Sequence, residues 1–160
     1  MKTSFAVLAA LGLAAPAAAQ TMSEMTVSTD AAIQVATAAL AQCRADGQKV
    51  TVSVVDHAGR EKVRVRDDGA SPHSELHAFR KAYTALTYKM TSSDYGKRFT
   101  QLPQMGAVLL PNITTAAGGV PIRSGDRVVG AVGISGTPGS AGGGEHDAKC
   151  AEVGIQKVFK

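Results

Sequence analysis

The chain has 160 residues, 44% of them hydrophobic and 19% charged, so it is long enough for one domain with a buried core and is not a disordered chain. Aromatics are only 4% and Trp is absent, which argues against a stacking platform for single-stranded nucleic acid. The net charge of +4 allows an anionic ligand without demanding nucleic acid, and the two cysteines form no C-x-x-C pair, which excludes a zinc ribbon or a thioredoxin-type site.

Residues 1–19 read as a secretory signal peptide: Lys2 supplies the positive start, Phe5 to Ala15 an apolar stretch too short to span a bilayer, and Pro16 followed by Ala17-Ala18-Ala19 a cleavage site before Gln20. That predicts a periplasmic or secreted product with no membrane span in the mature chain. Export places Cys43 and Cys150 in an oxidising compartment, where they form either a bridge closing a long loop or two separate buried thiols.

After a polar lead-in, Ile33, Ala36, Leu40 and Cys43 recur at helical spacing, predicting an amphipathic helix over 30–45 with Thr29 or Asp30 as N-cap and Gly47 as its stop. Residues 49–55 alternate and are β-branched, 56–59 form a turn, and 60–66 alternate again, which together make a hairpin. A loop over 67–72 leads to a helix over 73–90, with Leu76, Phe79, Ala82, Tyr83 and Leu86 on one face. Residues 92–103 read as a short helix and loop, 107–110 as a short apolar run, and 111–117 as loop. Strands over 120–123 and 127–135 flank the tight Ser124-Gly125-Asp126 turn, a Gly/Ser stretch covers 136–144, and a last helix over 145–158 carries Cys150, Val153 and Val158. The order α-β-β-α-(α)-β-β-β-α is that of an α+β domain with antiparallel pairing.

Few motifs carry chemistry. The Gly-rich stretch after residue 135 has neither G-x-x-x-x-G-K-[ST] nor G-x-G-x-x-G, so it reads as a loop rather than a phosphate cradle. Ser135 lacks the second glycine of a nucleophile elbow. His73 and His77 are four apart and share a helix face, the spacing at which two neutral imidazoles hold a transition metal or an iron porphyrin; by spacing alone they are equally a helix-start and a surface histidine. His57 and His146 fall in a turn and at a helix start. Arg60, Lys62, Arg64 and Arg66 alternate along a strand and are expected on one side, as a cationic stripe for propionates, phosphates or an acidic partner, or as a solvated face.

Three segments resemble the GlcG/HbpS-like family, also called the haem-degrading domain family, which includes the C-terminal domain of PduO-type proteins. Val52 to Gly59 is similar to V-x-V-V-D-x-x-G. Asp68-Gly69-Ala70, Ser74 and Ala78 to Ala85 resemble D-G-A, S and A-x-x-K-A-x-T-A. Gly118 to Ile122 and Gly130 to Gly136 resemble G-G-x-P-I and G-A-x-G-x-S-G. The likeness spans residues 29–158. It implies a profilin-like fold, a five-stranded antiparallel sheet flanked by helices, in a homo-oligomer that binds haem or iron, with haem degradation or turnover of a small organic acid as the enzymatic alternative and a ligand-free scaffold as the third reading. His73 matches a Pro-His-Ser/Thr start in exported members and is the expected metal ligand, with His77 beside it and Arg60, Arg80 or Lys81 as partners for propionates. Many members carry His where this chain has Arg60, so that contact is not transferred.

Overall fold

A computed structural model describes residues 22–101, 110–139 and 143–159. The expected signal peptide and residues 107–109 of the apolar run lie outside the described residues. The elements in chain order are α1 (Thr29–Ala45), β1 (Thr51–Asp56), β2 (Glu61–Arg66), α2 (Ser74–Tyr88), α3 (Ser92–Gln101), β3 (Gly119–Ser124), β4 (Arg127–Ser135) and α4 (Gly143–Val158). The helix caps follow local chemistry. Ser28, one residue before the expected caps, accepts a hydrogen bond from the Ala31 N–H, and Lys89 ends α2 in a left-handed conformation.

All strand pairs are antiparallel, in the order β2-β1-β4-β3. Among the described residues the sheet therefore has four strands, not five. From Leu110 the chain turns, and Asn112 sits at φ 71°, a conformation no strand accepts. A part of the lead-in runs beside β4 instead: the Val27 N–H donates to the Val129 carbonyl at 2.9 Å, past the end of β1.

The sheet lies between two helical layers. Val52, Val54, Val132, Ile134, Val120 and Ile122 face α1 and α4, where they meet Val35, Ala36, Ala39, Leu40 and Ala151 in the main core. The other face carries Val55 and Ala131 against Ala82 and Ala85 of α2, flanked by Phe79 and Leu86. On α1, Ala36, Leu40 and Cys43 are buried as expected, Ala32, Val35 and Ala39 join them, and Ile33 is exposed. The departure is larger on α2. On α2 the buried residues are Ser74, Ala78, Lys81, Ala82, Thr84 and Ala85, while Leu76 is 55% exposed.

Glycine explains the rotation of α2. A methyl group on Gly133 would lie 2.0 Å from the Ala78 carbonyl oxygen, and one on Gly119 would lie 2.1 Å from that of Lys81. The α2 backbone thus rests directly on β3 and β4, and only small side chains fit beneath it. Gly154 does the same between α4 and α1, since its Cβ would meet Val35 and Ala39. At that crossing Cys43 and Cys150 form a disulfide, with Cα atoms 5.6 Å apart.

The cationic stripe does not form. A bulge shifts the β1–β2 register between Val54 and Val55, so that Val55 pairs with Glu61 and Val54 with Val63. Arg60 stays in the turn, and the Lys62 ammonium reaches Thr29 of α1. Arg64 and Arg66 face Glu75 of α2, and Arg64 also pairs with Glu61 at 2.8 Å.

Candidate functional site

The start of α2 meets the end of β4 and the first turn of α4. Because Thr51 of β1 pairs with Ser135 of β4, this end of the sheet lies opposite the β1–β2 turn. A cavity of about 560 Å³ opens here, lined by His73, His77, Lys81, Ser135, Thr137 and Asp147 together with Ser71, Ala116, Ala117, Pro138 and Glu145. Its size falls within the range of small-molecule and cofactor sites, roughly 300–1,000 Å³.

Buried hydroxyl groups tie the start of α2 to β1 beside the cavity. Ser74 donates to the Ser71 carbonyl at 2.6 Å, so Thr51, 2.7 Å from the Ser74 hydroxyl, must donate to it. His77 is held at both ring nitrogens, with Nδ1 3.3 Å from Ser135 Oγ and Nε2 3.4 Å from Thr114 Oγ1. Burial is the main cause that pushes His77 down to about 4, with the positive charges of Lys81, His73 and Arg80 acting the same way and Asp147 opposing. It is a neutral imidazole at physiological pH. The His73 ring lies 6.4 Å from that of His77, exposed at the cavity rim.

Lys81 and Asp147 form the charged base of the cavity. Lys81 Nζ donates to Asp147 Oδ2 and to the Ile134 carbonyl, both at 2.8 Å, and the two side chains are 4% and 2% exposed. Burial lowers the Lys81 ammonium from its ordinary value, and the Asp147 carboxylate works against that. Asp147 Oδ1 also accepts from the Thr137 N–H at 3.3 Å, which ties the loop after β4 to α4.

The structure brings His73, His77 and Lys81 together. Arg80, one turn after His77, makes no ion pair among the described residues, and its Nε is buried without a hydrogen-bond partner. Arg60 is not part of this group: it is exposed at the far end of β1, a strand length away, where its backbone closes the turn on Asp56. Asp147 and Thr114 are contributors that sequence patterns do not single out, and Ser135 falls in the G-A-x-G-x-S-G segment, where the resemblance gives it no role. Lys81, at the base of the cavity, is legible only through the resemblance of Ala78 to Ala85 to A-x-x-K-A-x-T-A. A larger hollow of about 730 Å³ lies beside the β1–β2 turn, lined by Met22, Met25, His57, Tyr83 and Leu86, with His57 paired to Glu24. Its charged lining groups, Glu24, Lys89, Asp126 and Arg127, are exposed, whereas Lys81 and Asp147 of the first cavity are buried. No helix among the described residues is long and apolar enough to cross a membrane.

A family model described as "Haem degrading protein HbpS-like" matches residues 27–156. Among solved structures, a double mutant of HbpS from Streptomyces reticuli is 33% identical, with 92% of this chain and 99% of that chain covered and a TM-score of 0.82. ORFY from Klebsiella pneumoniae is 26% identical, with 88% and 95% covered and a TM-score of 0.76. PduOC, solved as a haem complex, is 24% identical, with 85% and 100% covered and a TM-score of 0.74, and shares the fold. No curated protein matches the chain significantly.

Proposed function

This chain belongs to the HbpS-like family, and from that premise we propose that it is an exported, oligomeric haem-binding protein that stores, senses or delivers its ligand. The observation that carries the reading is the pair of imidazoles at one cavity mouth, His73 exposed at the rim and His77 neutral and half-buried behind it. A neutral imidazole is the form that ligates iron. Haem would supply a redox-active Lewis-acidic iron.

His73 is the iron ligand in this reading, because its ring is free of hydrogen-bond partners among the described residues and faces the opening. His77 is committed to Ser135 and Thr114 and acts as a second imidazole behind it. Arg80 lies next to Lys81 but outside the cavity lining, with its Nε unpaired, and in this reading its guanidinium takes a propionate at the edge of the site. The Lys81 ammonium is already matched to Asp147 and holds the base of the cavity rigid.

The test is a haemin titration followed by the Soret band, with size-exclusion chromatography of the apoprotein alongside. A saturable, stoichiometric shift at micromolar haemin is expected. His73→Ala abolishes it with the fold intact, His77→Ala weakens it less, and Arg80→Ala raises Kd roughly tenfold, the loss of one charge-assisted hydrogen bond. A shift that survives in His73→Ala removes His73 as the ligand. A non-saturating shift in the parent chain sinks the haem reading and directs the search to small organic acids. Addition of a reductant to the loaded protein then separates a binder from a haem-degrading enzyme.

A further inference from the structure

The disulfide corner is more than a staple. Cys43 and Asp46 are three residues apart at the end of α1, and His146 and Cys150 are four apart at the start of α4, so each pair lies on one helix face. The α1–α4 crossing brings the two faces together. The Asp46, His146 and Cys150 ligand atoms all lie within 4.8 Å of one another, and Cys43 Sγ is bonded to that of Cys150. His146 Nε2 is 3.0 Å from Asp46 Oδ2, yet it is buried and not aligned for a hydrogen bond with any partner. Gln42 Nε2 donates to both Asp46 oxygens, at 3.0 and 3.1 Å, and fixes the carboxylate from behind.

We propose that Cys43, Asp46, His146 and Cys150 become a zinc-type metal site when the disulfide is reduced. The bridged sulfurs are poor ligands, because the ligand form is the thiolate. A dithiol reductant supplies two electrons and becomes a disulfide itself. The Sγ–Sγ bond breaks and each cysteine takes up a proton. A divalent ion then displaces both thiol protons to solvent and leaves a set of two sulfurs, one nitrogen and one oxygen. Such a set favours zinc over magnesium or calcium. Tetrahedral zinc with bonds of 2.0–2.3 Å needs ligand atoms roughly 3.3–3.8 Å apart, which small side-chain rotations reach from the present cluster. Both cysteines are fully buried, whereas the His146 and Asp46 side chains are 24% and 34% exposed. An ion arriving from solvent therefore meets the Asp46 carboxylate first, with His146 Nε2 behind it. Metal and disulfide are alternative clasps for the same helix crossing.

Cobalt(II) is the probe, titrated anaerobically into haem-free protein in the oxidised form and after reduction with a phosphine. The reduced protein is expected to show a stoichiometric thiolate-to-cobalt charge-transfer band with tetrahedral visible bands, displaced by zinc, and the oxidised protein none. The charge-transfer band excludes His73 and His77 as its source. In reduced protein His146→Ala and Asp46→Ala each weaken cobalt binding at least tenfold, and His57→Ala leaves it unchanged. No thiolate–cobalt band in folded reduced protein, or equal bands in both forms, overturns the proposal. If reduction alone unfolds the chain, zinc should restore the native circular dichroism, and failure to restore it also overturns the proposal.

Discussion

Lys81 carries its charge into a place where charge is costly, and two acceptors make that tolerable. Removing either member of a buried pair leaves the other uncompensated, so Lys81→Met should destabilise the fold by about 3–5 kcal/mol, read by urea denaturation. Lys81→Met combined with Asp147→Leu should recover most of that loss, because it removes both charges together. His77 gives a second test at the same scale. The unfolded chain binds its proton up to the ordinary value of 6.5, the folded chain only up to about 4. Between these values the unfolded state binds more protons, so the His77 contribution is complete above pH 6.5 and lost as pH falls toward 4. The thermal midpoint should drop through that window, and His77→Asn should flatten the drop. An unchanged profile would mean that His77 titrates normally in the fold.

The packing of α2 onto the sheet depends on what β3 and β4 lack. Gly133→Ala would drive a methyl group into the Ala78 carbonyl at 2.0 Å, and the backbone there cannot rotate aside. A loss above about 3 kcal/mol is expected, with haem binding weakened because His77 moves with the helix. Gly125→Ala is the contrast: its Cβ meets nothing within 4 Å and only the left-handed backbone at φ 57° is strained, so about 1–2 kcal/mol should be lost. The same glycines explain what sequence reasoning could read. Alternation along 49–55 and 60–66 gave the first hairpin, the tight Ser124-Gly125-Asp126 turn marked the second, and helical spacing gave α1, α2 and α4. The face of α2 was not legible from hydrophobicity. Close approach reverses the usual rule, burying Ala78, Ala82 and Ala85 and leaving Leu76 outside. The β1–β2 bulge was equally silent, since one slipped residue undoes an alternation that the letters alone preserve. At the cavity, His73 and His77 were readable from their spacing and Lys81 from the resemblance to A-x-x-K-A-x-T-A. Ser135 fell within the G-A-x-G-x-S-G segment, but nothing local tied it to His77, 58 residues away, and Asp147, 66 residues from Lys81, lay in no motif.

Across the whole molecule, the first and last helices are joined by the one covalent cross-link, between cysteines 107 positions apart in sequence. In the chain-entropy description a loop of that length constrains the unfolded state by about 5 kcal/mol, and Cys43→Ser with Cys150→Ser should forfeit about 3–5 kcal/mol in urea. The mutant should keep the native circular dichroism, since the α1–α4 contact is also apolar. The cross-link has a mechanical counterpart as well. Tension applied across the outer ends of α1 and α4 would pass directly from Cys43 to Cys150, bypassing the four strands between them in sequence. A single oxidised molecule stretched between its termini would therefore hide the 107-residue separation, roughly 350–390 Å of contour, and release it only after reduction.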